Sequence, residues 1–237
     1  MEKEVYVPNF IERVDFDDIK DQSYVSLCFA SMKQLSKSLN TICDYKKMNF
    51  EIDGDDSQIY ERNYVISLAV DLAKKQESLD TVGFKGEING EVVKKLSLAY
   101  SSIREEYIKI RKILDKKYKG KKKEIFVLPD LLIHESHSYE DGKLDEKYQH
   151  IAMEVKTKTI KRKEFFFLDM LKLNYYLDTL HFANVVYMLV GTTIKTTDEY
   201  VGGYFKEVEF KSSKANDNLY FFIQEKLNSE AQIYKLK

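Results

Sequence analysis

The order of elements in the second half of the chain constrains its fold most. Residues 151–158 and 183–194 are apolar and rich in branched and aromatic side chains, which predicts two strands. Residues 164–181, which lie between them, are predicted to form a helix. A strand, a helix and a strand in that order form a right-handed crossover between parallel strands. The sequence therefore predicts an α/β fold with helices packed on a sheet.

Two further apolar segments are predicted to be strands of this sheet. Residues 125–134 read Ile-Phe-Val-Leu-Pro-Asp-Leu-Leu-Ile-His, and the polar stretch after them contains Asp141-Gly142, a favourable hairpin turn. This hairpin would pair residues 125–134 antiparallel with residues 151–158, which makes the sheet mixed. Leu219-Tyr-Phe-Phe-Ile223 is the second segment, and we expect it at an edge of the sheet.

Three helices are predicted before the hairpin. Apolar residues recur at steps of three and four in residues 24–43, 58–77 and 92–119. The third helix would be long and amphipathic, with Gly120 ending it. We expect an N-terminal helical extension over residues 1–57, packed on a main domain of residues 58–237 that carries a helical insertion at 90–122.

The charge of the chain is balanced overall but uneven along it. There are 38 Lys and Arg against 39 Asp and Glu, which excludes a uniformly basic surface. Residues 1–61 carry a net charge of −6, residues 104–123 carry +7, and residues 156–163 hold five basic residues and no acidic one. Such patches indicate either a solvated helix face or a surface that follows phosphate groups.

The chain has the features of a cytoplasmic protein. Cys28 and Cys43 are too few for a disulfide scaffold, and free thiols fit a reducing compartment. The start has no apolar segment typical of a signal peptide. The longest apolar run, residues 182–190, is interrupted by Asn184 and is far shorter than the roughly 20 residues of a membrane helix. We therefore expect no membrane association.

A chemical pattern interrupts the two strands of the predicted hairpin. Asp130 follows Pro129 within an apolar strand, where a carboxylate is unfavourable unless something binds it. Side chains alternate along a strand, so Glu154 and Lys156 share one face while Val155 points to the other. A Glu-x-Lys pattern alone is typical of an ordinary exposed charge pair. If the hairpin brings Asp130 beside Glu154, the two carboxylates are oxygen ligands suited to Mg²⁺.

Glu61 is a further acidic candidate. It lies four residues before Val65 and seven before Leu68, so it extends an apolar helix face, where a charge needs a partner. The alternative is an exposed glutamate in the first turn, where the helix dipole favours a negative charge.

The ordered set of motifs resembles the PD-(D/E)XK nuclease superfamily, which has the restriction-endonuclease-like fold, and within it a bacterial branch. The resemblance covers roughly residues 58–192. It is carried by Glu61-Arg62, Pro129-Asp130-Leu-Leu-Ile-His134, Glu154-Val155-Lys156 and Asp169-Met-Leu-Lys172-Leu173.

The resemblance implies a Mg²⁺-dependent nuclease that hydrolyses DNA, in restriction, defence or repair, with Mn²⁺ as a substitute metal. Asp130 and Glu154 would hold the metal, together with the main-chain carbonyl of Val155. The expected partner is nucleic acid, DNA in the first place, and a homodimer is left open.

The resemblance also implies roles for the remaining charged residues. Lys156 would position the attacking water, and Glu61 would reach the site from its own helix. Lys172 would face the scissile phosphate, with Asp169 three residues earlier on the same helix face. The basic residues after Lys156 are candidates for nucleic-acid binding, namely Lys158, Lys161, Arg162 and Lys163.

Two other classes of protein fit the same sequence. The first is a catalytically silent module with the nuclease fold that binds nucleic acid or a protein partner. The second is an interaction protein that dimerises through the amphipathic helices predicted at 24–43 and 92–119.

Overall fold

The computed structural model describes residues 6–19, 23–43, 56–79, 87–90, 96–97, 102–118, 126–135, 149–226 and 229–237. Within these residues the strands are β1 (Ile11–Val14), β2 (Glu87–Gly90), β3 (Leu96–Ser97), β4 (Phe126–Val127), β5 (Leu131–His134), β6 (Gln149–Lys156), β7 (Asn184–Val190), β8 (Leu219–Gln224) and β9 (Gln232–Leu236). The helices are α1 (Phe16–Ile19), α2 (Ser23–Cys43), α3 (Asp56–Leu79), α4 (Arg104–Leu114), α5 (Lys163–Asp178), α6 (Ile194–Glu207) and α7 (Ala215–Asn218).

A mixed sheet forms the centre of the structure. Its strands, counted among the described residues, follow the order β1-β9-β8-β7-β6-β5-β2. Strands β6, β7 and β8 are parallel to one another, and the remaining neighbours are antiparallel. The predictions of an α/β fold, of parallel strands around α5 and of antiparallel pairing between β5 and β6 are confirmed. The predicted turn at Asp141-Gly142 lies outside the described residues.

Helices cover each face of the sheet and divide the core in two. Buried residues of α4, α5 and α6 pack on one face, together with Ala152 and Tyr187 of the strands. Buried residues of α1, α2 and α3 pack on the other face, against Met153 and Val155. Because side chains alternate along β6, this packing leaves Glu154 on the face that α5 covers. The sequence prediction that Met153 and Val155 enter the core is confirmed.

The prediction of one helix over residues 92–119 is wrong. Leu96–Ser97 is a strand that pairs with Phe126–Val127, and the helix begins only at Arg104 and ends at Leu114. Ser101 and Ser102 precede this helix, and serine competes with helical hydrogen bonds through its own side chain. An interaction surface built on a single helix at 92–119 therefore does not exist.

The edge of the sheet also differs from the prediction. Leu219-Tyr-Phe-Phe-Ile223 belongs to β8, which lies between β7 and β9 and has all six residues buried. The residues that take the edge are Ile11–Val14 of β1, which the sequence had placed in a helical extension. A strand buried on both faces is apolar without alternation, and that pattern alone does not distinguish a central strand from an edge strand.

Asp198 of α6 anchors the segment before β1. Its carboxylate accepts hydrogen bonds from the hydroxyl of Tyr6 and from the main-chain N–H groups of Asn9, Phe10 and Ile11, at 2.7 to 3.1 Å. Burial acts to raise the pKa of Asp198, but these donors outweigh it and hold the pKa below the ordinary value. One carboxylate thus accepts the main-chain hydrogen bonds that a neighbouring strand would otherwise accept at the start of β1.

Replacing Asp198 by Ala should lower the free energy of unfolding by about 2–3 kcal/mol, because buried N–H groups lose a charged acceptor. The folded pKa is depressed, so this stabilisation is complete above the unfolded pKa of about 3.9 and is lost as the pH falls through the folded value. Urea unfolding at neutral and acidic pH measures it. Glu199→Ala, at an exposed neighbouring position, is the matched control; an equal loss in the two variants would contradict this role.

Among the described residues, no helix is long and apolar enough to cross a membrane.

Candidate active site

Asp130 lies at the start of β5, directly beside the end of β6. Its N–H donates to the carbonyl of Met153 at 2.9 Å, and its Oδ2 accepts from the N–H of Val155 at 2.7 Å. Pro129 precedes it and is buried. Proline has no N–H to donate, so regular pairing begins only after it. Asp130 is therefore fixed on both sides of Glu154, by its own N–H at Met153 and by its carboxylate at Val155, as the hairpin prediction required.

Glu154 is the most deeply buried charge of the site, with 1% of its surface exposed. Its Oε2 forms an ion pair with Lys172 of α5, and its Oε1 accepts a hydrogen bond from the hydroxyl of Tyr176 at 2.9 Å. Burial of a carboxylate is costly unless donors compensate for the lost water. Here a helix turn supplies an ammonium group and a phenol to the same carboxylate.

Lys156 ends β6 and contacts acidic groups from two helices. Its Nζ lies 3.2 Å from Oε1 of Glu61, 3.5 Å from Oδ2 of Asp169 and 3.0 Å from the carbonyl oxygen of Val155. Glu61 comes from α3, which covers the opposite face of the sheet from α5, so Lys156 links the two helical layers at the sheet end. Glu61 thus has the charged partner that a glutamate on an apolar helix face needs, while 31% of its side chain stays exposed.

Asp169 of α5 connects the two lysines. Its Oδ1 lies 2.7 Å from the Nζ of Lys172, and its Oδ2 accepts a hydrogen bond from the hydroxyl of Tyr187 at 3.0 Å. Only 5% of Asp169 is exposed. Because Lys156 also contacts Asp169, this one carboxylate sets the distance between the two ammonium groups.

These side chains form a single charged cluster. We use this name for four carboxylates and two lysines, namely Glu61, Asp130, Glu154, Asp169, Lys156 and Lys172. With every group ionised, the charged cluster carries a surplus of two negative charges. Burial raises the pKa of Glu154 to about 8 and raises that of Glu61, and neighbouring carboxylates add to both shifts. The cluster is therefore short of positive charge.

The other pKa shifts follow from the ion pairs. Burial acts to lower the pKa of Lys156 and Lys172, but the surrounding carboxylates outweigh it and raise the pKa of each lysine. Burial acts to raise the pKa of Asp169, but the two lysines outweigh it and lower that pKa. Both lysines are thus ammonium groups at neutral pH, and Asp169 is a carboxylate.

The predicted metal ligands have the right chemistry and already have partners. Asp130, Glu154 and the Val155 carbonyl present hard oxygen atoms, the donors that Mg²⁺ prefers. Lys172 contacts Glu154, and Lys156 contacts the carbonyl oxygen of Val155. A carboxylate or carbonyl oxygen still has a second lone pair for another partner. Among the described residues, no group of three or more His, Cys, Asp or Glu side chains is close enough together to hold a metal ion.

The predicted nucleic-acid-binding residues fall into two pairs. Lys158 and Lys161 are exposed, and neither forms an ion pair with another residue in the described part of the chain. Arg162 contacts Glu164 and donates to the carbonyl of Ile113, while Lys163 pairs with Glu207. Lys158 and Lys161 are therefore the cations that are available to a ligand.

The sequence prediction omitted two tyrosines of the site. Tyr176 is fully buried, and its hydroxyl contacts Glu154. Its position four residues after Lys172 was the signal that placed it on the same helix face. Tyr187 lies opposite Glu154 in the parallel pairing of β6 and β7, a register that the sequence does not encode locally.

Tyr176→Phe should lower the free energy of unfolding by about 1.5–3 kcal/mol, because a buried carboxylate loses a hydrogen-bond donor. Tyr175→Phe is the matched control, since this adjacent hydroxyl makes no hydrogen bond with any described residue. Chemical denaturation of the two variants measures the difference. Equal stability would show that the contact with Glu154 contributes nothing.

Neither a protein-family model, nor a curated protein, nor a solved structure matches this chain. The class that the fold defines is an α/β protein with a mixed sheet flanked by helices.

Proposed function

We propose that the protein is a Mg²⁺-dependent nuclease of the PD-(D/E)XK type that hydrolyses phosphodiester bonds in DNA. One observation carries the proposal: the charged cluster joins all four sequence motifs at one end of the sheet, and with every group ionised its four carboxylates leave a surplus of two negative charges over its two lysines. A single divalent cation would balance that surplus.

Asp130, Glu154 and the carbonyl of Val155 would hold the cation, and their oxygen donors fit Mg²⁺. A bound Mg²⁺ would neutralise charge on the phosphate oxygens and make a water molecule more acidic. The side chains of Lys156 and Lys172 would do the rest, by orienting the water and stabilising the phosphate charge.

Lys156 would orient the attacking water and compensate the charge that develops on the phosphate. Its ammonium group is held by Glu61 and Asp169, so it enters the reaction already oriented. Lys172 would supply a second positive charge from α5. The attacking water would add to phosphorus and lose a proton to the solvent, the bond to the 3′ oxygen would break, and that oxygen would take a proton from another water molecule.

A second candidate is a module that binds nucleic acid without cleaving it. The observation in its favour is that Glu154 and the Val155 carbonyl already have ammonium partners, which satisfies the buried oxygens without a metal. The two candidates differ in whether the charged cluster binds a divalent cation.

Isothermal titration with Mg²⁺ and Mn²⁺ separates them. The nuclease proposal predicts one divalent ion per chain and at least about tenfold weaker binding in Asp130→Asn. Glu135→Gln is the matched control, because Glu135 follows β5 at its other end and pairs with His150. If wild-type protein bound neither ion at millimolar concentration, the silent module would be the better account.

A further inference from the structure

One stripe of α5 runs from the charged cluster to the protein surface. Asp169, Lys172 and Tyr176 follow Phe165 by four, seven and eleven positions. At 3.6 residues per turn these spacings place all four residues on one narrow face of the helix. The last three contact the cluster, and Phe165 lies in the first turn of α5, one turn beyond Asp169. Phe165 therefore extends the helix face that carries Asp169 and Lys172, one turn nearer the start of α5.

Phe165 is exposed, whereas the next two phenylalanines in the sequence are buried. Its side chain is 47% exposed, whereas Phe166 and Phe167 are buried in the core beneath the helix. No aromatic ring of the described residues packs against it. A single exposed aromatic residue is common and does not by itself indicate a binding site. The residues around Phe165 are therefore needed to judge its role.

The surroundings are cationic and held in place. Residues 157–162 connect β6 to α5 and carry Lys158 and Lys161, which are exposed and form no ion pair with a described residue. The hydroxyl of Thr159 donates to the carbonyl of Gly191 at 2.6 Å, and Tyr200 donates to the carbonyl of Ile160 at 3.3 Å. These contacts hold the main chain of the connection, in which Lys161 precedes Phe165 by four residues.

Gly191 supplies the backbone conformation of the turn that contacts this connection. Its φ is +86°, a conformation that other residues adopt only with strain. A Cβ atom there would lie 3.5 Å from the main-chain nitrogen of Thr159. The turn after β7 and the turn after β6 are therefore packed main chain against main chain.

An exposed apolar ring that shares a helix face with the charged cluster, and follows a connection with two exposed lysines, matches the chemistry of an unpaired nucleotide. Base stacking on aromatic side chains with cations along the backbone is the usual arrangement for single strands. In a duplex the base faces are covered by their neighbours and are out of reach. We propose that Phe165 stacks on an unpaired base beside the scissile phosphate, so that the preferred substrate is single-stranded nucleic acid or a strand end. This inference rests on the proposed function.

Fluorescence anisotropy with labelled single-stranded DNA and its duplex tests this inference. Ca²⁺ replaces Mg²⁺, because it takes the same oxygen ligands, and a gel confirms that the DNA stays intact. We expect wild-type protein to favour the single strand. Phe165→Ala should weaken single-strand binding roughly tenfold and leave duplex binding unchanged, whereas Phe165→Trp should retain it. Phe16→Ala, at an equally exposed phenylalanine of α1, is the matched control.

A second readout reports stacking itself. The fluorescence of 2-aminopurine falls when the base stacks. In a single strand that carries 2-aminopurine at one position, wild-type protein and Phe16→Ala should quench this fluorescence, and Phe165→Ala should not. Lys158→Gln should weaken single-strand and duplex binding together and reduce the salt dependence, because it removes a phosphate contact.

The outcomes separate this inference from the proposed function. If Phe165→Ala binds the single strand as tightly as wild type, or if the duplex is preferred, the stacking role is overturned while cleavage of DNA can still stand. If wild-type protein binds no DNA with Ca²⁺ and cleaves none with Mg²⁺, the proposed function fails, and the stacking role fails with it.

Discussion

A Lys172→Met variant should have a free energy of unfolding about 3–5 kcal/mol lower than wild type in the absence of divalent ions. Lys172 lies between the carboxylates of Glu154 and Asp169, with 14% of its side chain exposed. Methionine keeps the apolar stem but removes the ammonium group. Glu154 would then remain buried with Tyr176 as its partner, and an uncompensated buried charge is strongly destabilising.

Chemical denaturation in EDTA measures this effect, and a double-mutant cycle assigns it to the ion pair. In the Glu154→Gln/Lys172→Met variant no unpaired carboxylate remains at that position, so the double variant should lose less stability than the sum of the two single variants. Lys195→Met is the matched control, because this lysine is exposed and should change stability by no more than about 0.5 kcal/mol. A similarly small change for Lys172→Met would contradict the ion-pair account.

Lys156→Ala should reduce Mg²⁺-dependent DNA hydrolysis by at least about a hundredfold, which is typical for removal of one preorganised charge from a transition state. Lys156 is the only lysine of β6, and it contacts Glu61 and Asp169, which hold it in place. The loss should appear in kcat, because the ammonium group acts on charge that develops during the reaction.

Lys158→Ala provides the comparison for that experiment. Lys158 lies two residues further along the chain, is exposed and belongs to no ion pair among the described residues. Its replacement should raise KM and leave kcat nearly unchanged, because a contact with the backbone of the nucleic acid binds substrate and transition state alike. Equal losses of kcat in the two variants would contradict the separate roles of Lys156 and Lys158.

The local pattern of the sequence predicted the part of the site on the hairpin, and the resemblance to the PD-(D/E)XK superfamily added Asp169 and Lys172. Alternation along β6 fixed the faces of Glu154 and Val155, and the apolar strand with an internal Asp130 indicated a partner across the hairpin. Helical spacing placed Asp169 and Lys172 together. The relations within β6 and within α5 join residues that are close in sequence, so periodicity determines them. The approach of Asp130 to β6 also depends on the pairing of β5 with β6.

Other features depend on contacts that are distant in sequence. Tyr187 reaches Asp169 because β7 pairs in parallel with β6, and the position of β8 in the centre of the sheet depends on β9, near the end of the chain. At residues 92–119 a helical period was present, but pairing of Leu96–Ser97 with Phe126–Val127 overrode it locally. Tertiary pairing outweighs propensity in such short segments.

The acidic residues of the first part of the chain lie in different places in the fold. Strand β1, which belongs to the acidic first part of the chain, lies at the sheet edge four strands from β6. Glu61 belongs to the same acidic part, yet it lies inside the charged cluster and holds Lys156. The acidic residues of this part therefore do not act as one surface.

Hydrolysis of end-labelled DNA by the purified wild-type protein is the most direct test of the proposed activity. Single-stranded and duplex substrates are incubated with millimolar Mg²⁺ or with EDTA, beside Asp130→Asn as a blank. The account predicts products with 5′-phosphate ends that appear with wild type and Mg²⁺ and are absent with EDTA or with the variant. Cleavage that persists equally in Asp130→Asn, or no cleavage of either substrate by wild type, would contradict it.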